Sequence, residues 1–109
     1  MMLTILQMNF EFQNSPAEAK EQGQNLAPAI SQVPGLIWKI WLMDEATRQA
    51  GGIYLFESQT AADTYLNGAI AQTIQHHPDF ANLQIRLTPI WAEASAVTAN
   101  TVLSLPISV

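Results

Sequence analysis

The stretch Leu36-Ile37-Trp38-Lys39-Ile40-Trp41-Leu42-Met43, followed after a polar connection by Gly51-Gly52-Ile53-Tyr54-Leu55-Phe56-Glu57, decides the fold. Both pieces are short, rich in β-branched and aromatic residues and bounded by turn-forming residues, which reads as strands rather than helices. The first is apolar on both faces. Leu36, Trp38, Ile40 and Leu42 share one parity, while Ile37, Trp41 and Met43 share the other with Lys39. A strand of that kind belongs in a sheet whose two faces are both covered. Asp44–Ala50 joins the pieces into a hairpin.

Upstream, Leu3–Phe12 alternates. Leu6, Met8, Phe10 and Phe12 point one way, and Gln7, Asn9 and Glu11 the other, as in a strand with one wet face. The period then changes. Ser15 suits an N-cap, Pro16 the first helical position and Glu18 the reciprocal capping contact. Ala19, Gly23, Leu26, Ala27 and Ile30 follow at helical spacing, with a kink expected at Pro28, and Val33-Pro34-Gly35 closes the helix. Downstream, Ser58 or Thr60 caps a second helix carrying Ala62, Tyr65, Leu66, Ala69, Ile70 and Thr73, ending at His76-His77-Pro78. Leu83, Ile85 and Leu87 alternate with Gln84, Arg86 and Thr88 in a fourth strand that stops near Pro89.

The order β-α-β-β-α-β predicts an α+β, ferredoxin-like split βαβ domain over residues 1–95, with residues 96–109 a tail. Both helices then cover one face of a four-stranded antiparallel sheet. Ile5, Ile37, Trp41, Met43, Ile53 and Leu55 are expected on the other face, where a second copy of the chain is the natural cover. Lys39, Glu57, Glu11 and Arg86 are expected at its polar margin, as cross-strand ion pairs.

Composition narrows the function. Of 109 residues, 49% are apolar and only 12% charged, about half the usual charged share of ~25%. Ten Gln and six Asn supply neutral polarity instead, so some apolar surface is expected to meet another subunit. Four basic residues against nine acidic ones, net −5, leave no footprint for nucleic acid. No apolar run approaches the ~20 residues that span a bilayer. Met1-Met2-Leu3-Thr4 does not read as a signal peptide, and the absence of cysteine fits the cytosol. No glycine-rich phosphate loop or metal-chelating motif is present. His76 and His77 diverge by about 100° on a helix, and their position at its C-terminus is favourable for electrostatic reasons alone.

Two strings carry more. Val33-Pro34-Gly35-Leu36-Ile37-Trp38-Lys39-Ile40-Trp41 and Ala50-Gly51-Gly52-Ile53-Tyr54-Leu55-Phe56, with Tyr65-Leu66 after them and Leu6-Gln7-Met8-Asn9-Phe10-Glu11-Phe12 before, closely resemble the YdhR-type monooxygenase family from about Leu3 to Ser95. The resemblance implies a dimeric α+β barrel related to the antibiotic-biosynthesis monooxygenases. It implies oxygenation of a small aromatic or quinol-type molecule without a bound cofactor or metal, in an apolar pocket. On this reading Trp38 and Tyr54 donate hydrogen bonds to a substrate oxygen and His76 shuttles a proton. Met8, Phe10, Phe56 and Tyr65 line the substrate. The haem-degrading relatives use an Asn on the first strand, a Trp before the second helix and a His on it. The closest positions here are Met8, Phe56 and His76 or His77, so two of the three polar requirements are lost. A third expectation is a non-enzymatic dimeric module that binds an apolar ligand or another protein. A useful cavity beside Trp38, Tyr54 and Tyr65 separates ligand binding from a purely structural role.

Overall fold

The computed structural model describes residues 2–99. Its elements are β1 (Thr4–Phe12), α1 (Pro16–Ile30), β2 (Leu36–Asp44), β3 (Gln49–Phe56), α2 (Gln59–Leu66), α3 (Ala69–Gln75) and β4 (Phe80–Pro89). The strands form one antiparallel sheet in the order β2-β3-β1-β4, the ferredoxin-like arrangement. Residues 92–99 are helical and cross the expected boundary at residue 95; residues 100–109 of the expected tail lie outside the described residues.

Local chemistry accounts for the helix ends. The Ser15 hydroxyl accepts the Glu18 amide at 3.1 Å while the Glu18 carboxylate accepts the Ser15 amide at 3.2 Å. This reciprocal cap, with Pro16 at the first position, starts α1. The helix runs through Pro28 to Ile30. Ser58, not Thr60, caps α2 through the Ala61 amide at 3.1 Å. The single second helix expected from the sequence is two. Asn67 closes α2, the Gly68 amide donates to the Tyr65 carbonyl at 3.0 Å, and α3 starts afresh from Gly68.

The core lies between the helices and the sheet face that carries Leu6, Met8, Tyr54 and Phe56, joined by Ile30, Ala62, Tyr65, Ala71 and Ile74. β1 and β3 therefore face as their alternation predicts: Leu6 pairs with Tyr54 and Thr4 with Phe56.

β2 does not. Leu36 pairs with Phe56, but Trp38 pairs with Leu55, because the register shifts at Ile37. One extra residue in a strand reverses the facing of every side chain after it. Beyond this bulge Lys39, Trp41 and Met43 oppose Tyr54, Gly52 and Ala50 on the helix-covered face. Trp38, Ile40 and Leu42 oppose Leu55, Ile53 and Gly51 on the open face. Trp38 is thus not on the pocket side, nor are Lys39, Trp41 and Met43 on the outer face, as strict alternation had it. Lys39 stands opposite Tyr54, so no ladder brings it to Glu57, and the Glu11 carboxylate accepts from the Asn82 amide at 2.9 Å rather than meeting Arg86.

Glycines carry the hairpin. A Cβ on Gly51, whose φ is +152°, would fall 1.9 Å from the Met8 carbonyl oxygen. Only glycine lets β1 and β3 approach there.

Candidate functional site

Between α1 and the helix-covered face of the sheet lies a cavity of about 280 Å³. Its floor is Met8 and Phe10 of β1, Gly52 and Tyr54 of β3, and Lys39, Trp41 and Met43 of β2; its roof is α1 from Ala19 to Ala27; Ile74 and Phe80 close one end. Two small residues keep it open. A Cβ on Gly23 would press on the Trp41 ring at 3.3 Å, and one on Gly52 would meet the Lys39 Cε at 2.5 Å.

Two aromatic groups define the ends. Phe10 stacks on Phe80 with ring centroids 4.2 Å apart, and His77 stacks on the same Phe80 at 4.4 Å. At the other end the Lys39 Nζ sits 3.3 Å from the Trp41 ring centroid and 4.4 Å from that of Tyr54, in cation–π geometry. Burial brings the Lys39 amine down from its usual 10.5 to about 7. Lys20, the second lysine of the lining, is engaged by Glu45 at 2.6 Å.

Behind Tyr54, its hydroxyl lies 2.9 Å from that of Tyr65, and both side chains are buried. Burial, then the neighbouring Tyr65, holds the Tyr54 phenol far above its usual range. Burial likewise raises Tyr65, against the opposing effect of its hydrogen bond with Tyr54. Neither phenol is a base at working pH. A pair of hydroxyls sharing one hydrogen bond keeps one proton to donate elsewhere, and when Tyr65 donates, the spare proton is that of Tyr54, the member that reaches the cavity.

The sequence-derived residues separate cleanly. Met8, Phe10 and Tyr54 line the cavity. Tyr65 supports Tyr54 from behind and borders a second hollow between Val33-Pro34 and the α2–α3 junction. Phe56 is fully buried beneath Tyr54, with ring centroids 6.0 Å apart, and lines neither of these hollows. Trp38 is on the opposite face, its indole Nε1 buried without an acceptor among the described residues. His76 caps α3, is exposed and bonds to Gln72 at 3.2 Å, so the proton-relay position expected for it is not formed. His77 comes nearer, with Nε2 3.4 Å from the lining residue Gln22. Sequence reasoning missed Lys39, Trp41 and Phe80. The signal for the first two was glycine: Gly52 and Gly23 are small where a lysine stem and an indole must lie. No imidazole is among this cavity's lining residues, and among the described residues no cluster of three metal-ligating side chains occurs. No helix of the described residues is long and apolar enough to cross a membrane.

Comparison with known proteins agrees with this fold. The family model described as "Putative mono-oxygenase ydhR" matches residues 5–101. Among solved structures, a protein of unknown function from Nitrosomonas europaea, NE2512, superposes with a TM-score of 0.70 at 16% identity, covering 84% of this chain and 92% of that one. SnoaB, a cofactor-independent oxygenase from Streptomyces nogalater, gives 0.67 at 13% identity, covering 81% and 92%. The haem degrader MhuD from Mycobacterium tuberculosis, solved with two haems bound, gives 0.59 at 20% identity, covering 82% and 97%. No curated protein sequence matches the chain.

Proposed function

The chain belongs to the ydhR mono-oxygenase family, and we propose that it oxygenates a small aromatic or quinol-type molecule in the cavity beneath α1, without a bound cofactor. The observation that carries this reading is the cavity itself: apolar, walled by Phe10, Trp41, Tyr54 and Phe80, with a few polar tips at its edges. In such chemistry the substrate is its own reductant. Its phenolate or enolate passes electrons to O₂; one oxygen atom enters the substrate, the other leaves as water, and the substrate supplies all four electrons. The protein contributes a dry site, orientation and one positioned proton donor. Tyr54 fills that last role, with Tyr65 fixing its hydroxyl. Cofactor-independent oxygenation by SnoaB, a protein of the same fold, supports the reading.

The working unit in this proposal is a homodimer. Ile5, Ile53, Trp38, Ile40 and Leu42 share the open face of the sheet, and Ile40 and Leu42 are 50% and 42% exposed. Aerobic incubation of folded protein with a panel of dihydroxyaromatics, read by mass spectrometry, tests the activity. Product heavier by one oxygen and lighter by the hydrogens lost supports it; a broad panel without oxygen gain refutes it.

A further inference from the structure

Oxygenation as proposed above uses the walls of the cavity and Tyr54, and leaves Lys39 without a task. The lysine is nonetheless held with care. Its stem crosses the backbone at Gly52, where a Cβ would lie 2.5 Å from Cε and 3.5 Å from Nζ. The ammonium then rests between two ring faces, 3.3 Å from the Trp41 centroid and 4.4 Å from that of Tyr54. No carboxylate lines the cavity, and the other lysine there is already paired with Glu45. Among the described residues, Lys39 has no anionic partner within ion-pair distance.

A cation enclosed by rings and lacking a counter-ion sets a condition on the ligand. A neutral apolar guest would displace water from the ammonium and return nothing, which is the costly way to bury a charge. A guest carrying one anionic oxygen would complete a charge-assisted hydrogen bond while its ring packs on the aromatic walls. Resting on the cavity being the substrate site, we infer that Lys39 makes it selective for planar aromatic molecules bound as the phenolate or enolate, with the anionic oxygen on Nζ. Proton balance is simple: an incoming neutral phenol gives its proton to the neutral amine, leaving the ammonium–phenolate pair. Burial brings the amine down to about 7, so the neutral form that accepts the proton is at hand near neutral pH, and the charge-assisted contact with the phenolate is what drives the exchange.

The test uses 4-nitrophenol, whose phenolate is yellow, and its methyl ether 4-nitroanisole, which cannot ionise. At pH 6, titration with the protein should raise the phenolate band, and nitrophenol should bind at least tenfold tighter than the ether. Lys39→Met should lose the band and bind the two alike, the ether reporting that its cavity is intact; Lys39→Arg, permanently charged, should retain it. Binding of nitrophenol only in its neutral form, an undiminished band in Lys39→Met, or no binding of either ligand to folded wild type would each overturn the inference. Its failure and that of the oxygenase reading are distinguishable. Phenolate capture without oxygen transfer to any substrate would leave Lys39 its role and remove the enzyme, whereas oxygenation unaffected by Lys39→Met would do the reverse.

Discussion

Replacing Lys39 by methionine sets two effects against each other, and their magnitudes decide the outcome. Methionine has nearly the same length and no charge, so the apolar contacts of the stem survive. Bringing an amine from 10.5 to about 7 corresponds to ~5 kcal/mol of destabilisation of the charged form at 1.36 kcal/mol per unit. Lys39 is only partly buried, so solvent screening cuts that figure. The faces of Trp41 and Tyr54 offset a further ~0.5–2 kcal/mol. A net cost of roughly 2 kcal/mol remains for the folded protein while the lysine is charged. The sign with pH follows from which state holds the proton. At pH 6 both folded and unfolded chains hold it, and the full cost is present. As pH rises the folded state sheds its proton well before the unfolded chain, which keeps it until near 10.5, so wild-type stability climbs on this account. Urea unfolding of both proteins at one concentration, from pH 6 to 9.5, checks the expectation. Lys39→Met should be the more stable by roughly 2 kcal/mol at pH 6, with the gap narrowing steadily as pH rises. Curves that stay parallel, or a methionine variant that is the less stable at pH 6, would refute a desolvated amine at this position.

Further outcomes are expected from the same structure. Gly51→Ala should cost at least ~3 kcal/mol or abolish folding, since its Cβ meets a main-chain oxygen at 1.9 Å and cannot be relieved by a side-chain turn; thermal unfolding reads this. Tyr65→Phe should cost ~1–2 kcal/mol in chemical denaturation, because the buried Tyr54 hydroxyl loses its partner at 2.9 Å. For the proposed dimer, Ile40→Glu on the open face should give a folded monomer by sedimentation, whereas Trp41→Glu, whose site lies on the helix-covered face beside Lys39, should remain dimeric. The reverse pattern would contradict the facing that the bulge at Ile37 imposes on β2.

That bulge also marks where the sequence stops being legible. β1 could be read directly because its polar residues, Gln7, Asn9 and Glu11, tag one face along its length. β3 follows from Tyr54 and Phe56 pairing with β1 in continuous register. β2 is apolar on both parities, so alternation gives no internal check on a one-residue slip, and its single tag, Lys39, misleads. A charge is expected at a wet margin, yet here it occupies a cavity whose partner groups are ring faces. Met8, Phe10 and Tyr54 were therefore identifiable as lining residues, while Trp38 and Trp41 exchanged places. The two-helix break fell at Gly68, a residue the helical periodicity of Ala62 to Thr73 ran across without a signal. The histidines lie at and just past the end of α3 rather than within it, with His76 turned to solvent and His77 stacked on Phe80.

Oxygen transfer in the cavity under α1 is tested most directly with isotopic O₂. Purified wild type, free of added metal and flavin, is incubated with the dihydroxyaromatic panel under ¹⁸O₂ beside Gly23→Leu, a change that favours the helix but crowds Trp41, already 3.3 Å from a Cβ at that position. The expected result is one ¹⁸O atom per product molecule with wild type and at least a tenfold lower yield with folded Gly23→Leu. Absence of label in every product of folded wild type, or equal labelling by the two proteins, would contradict it.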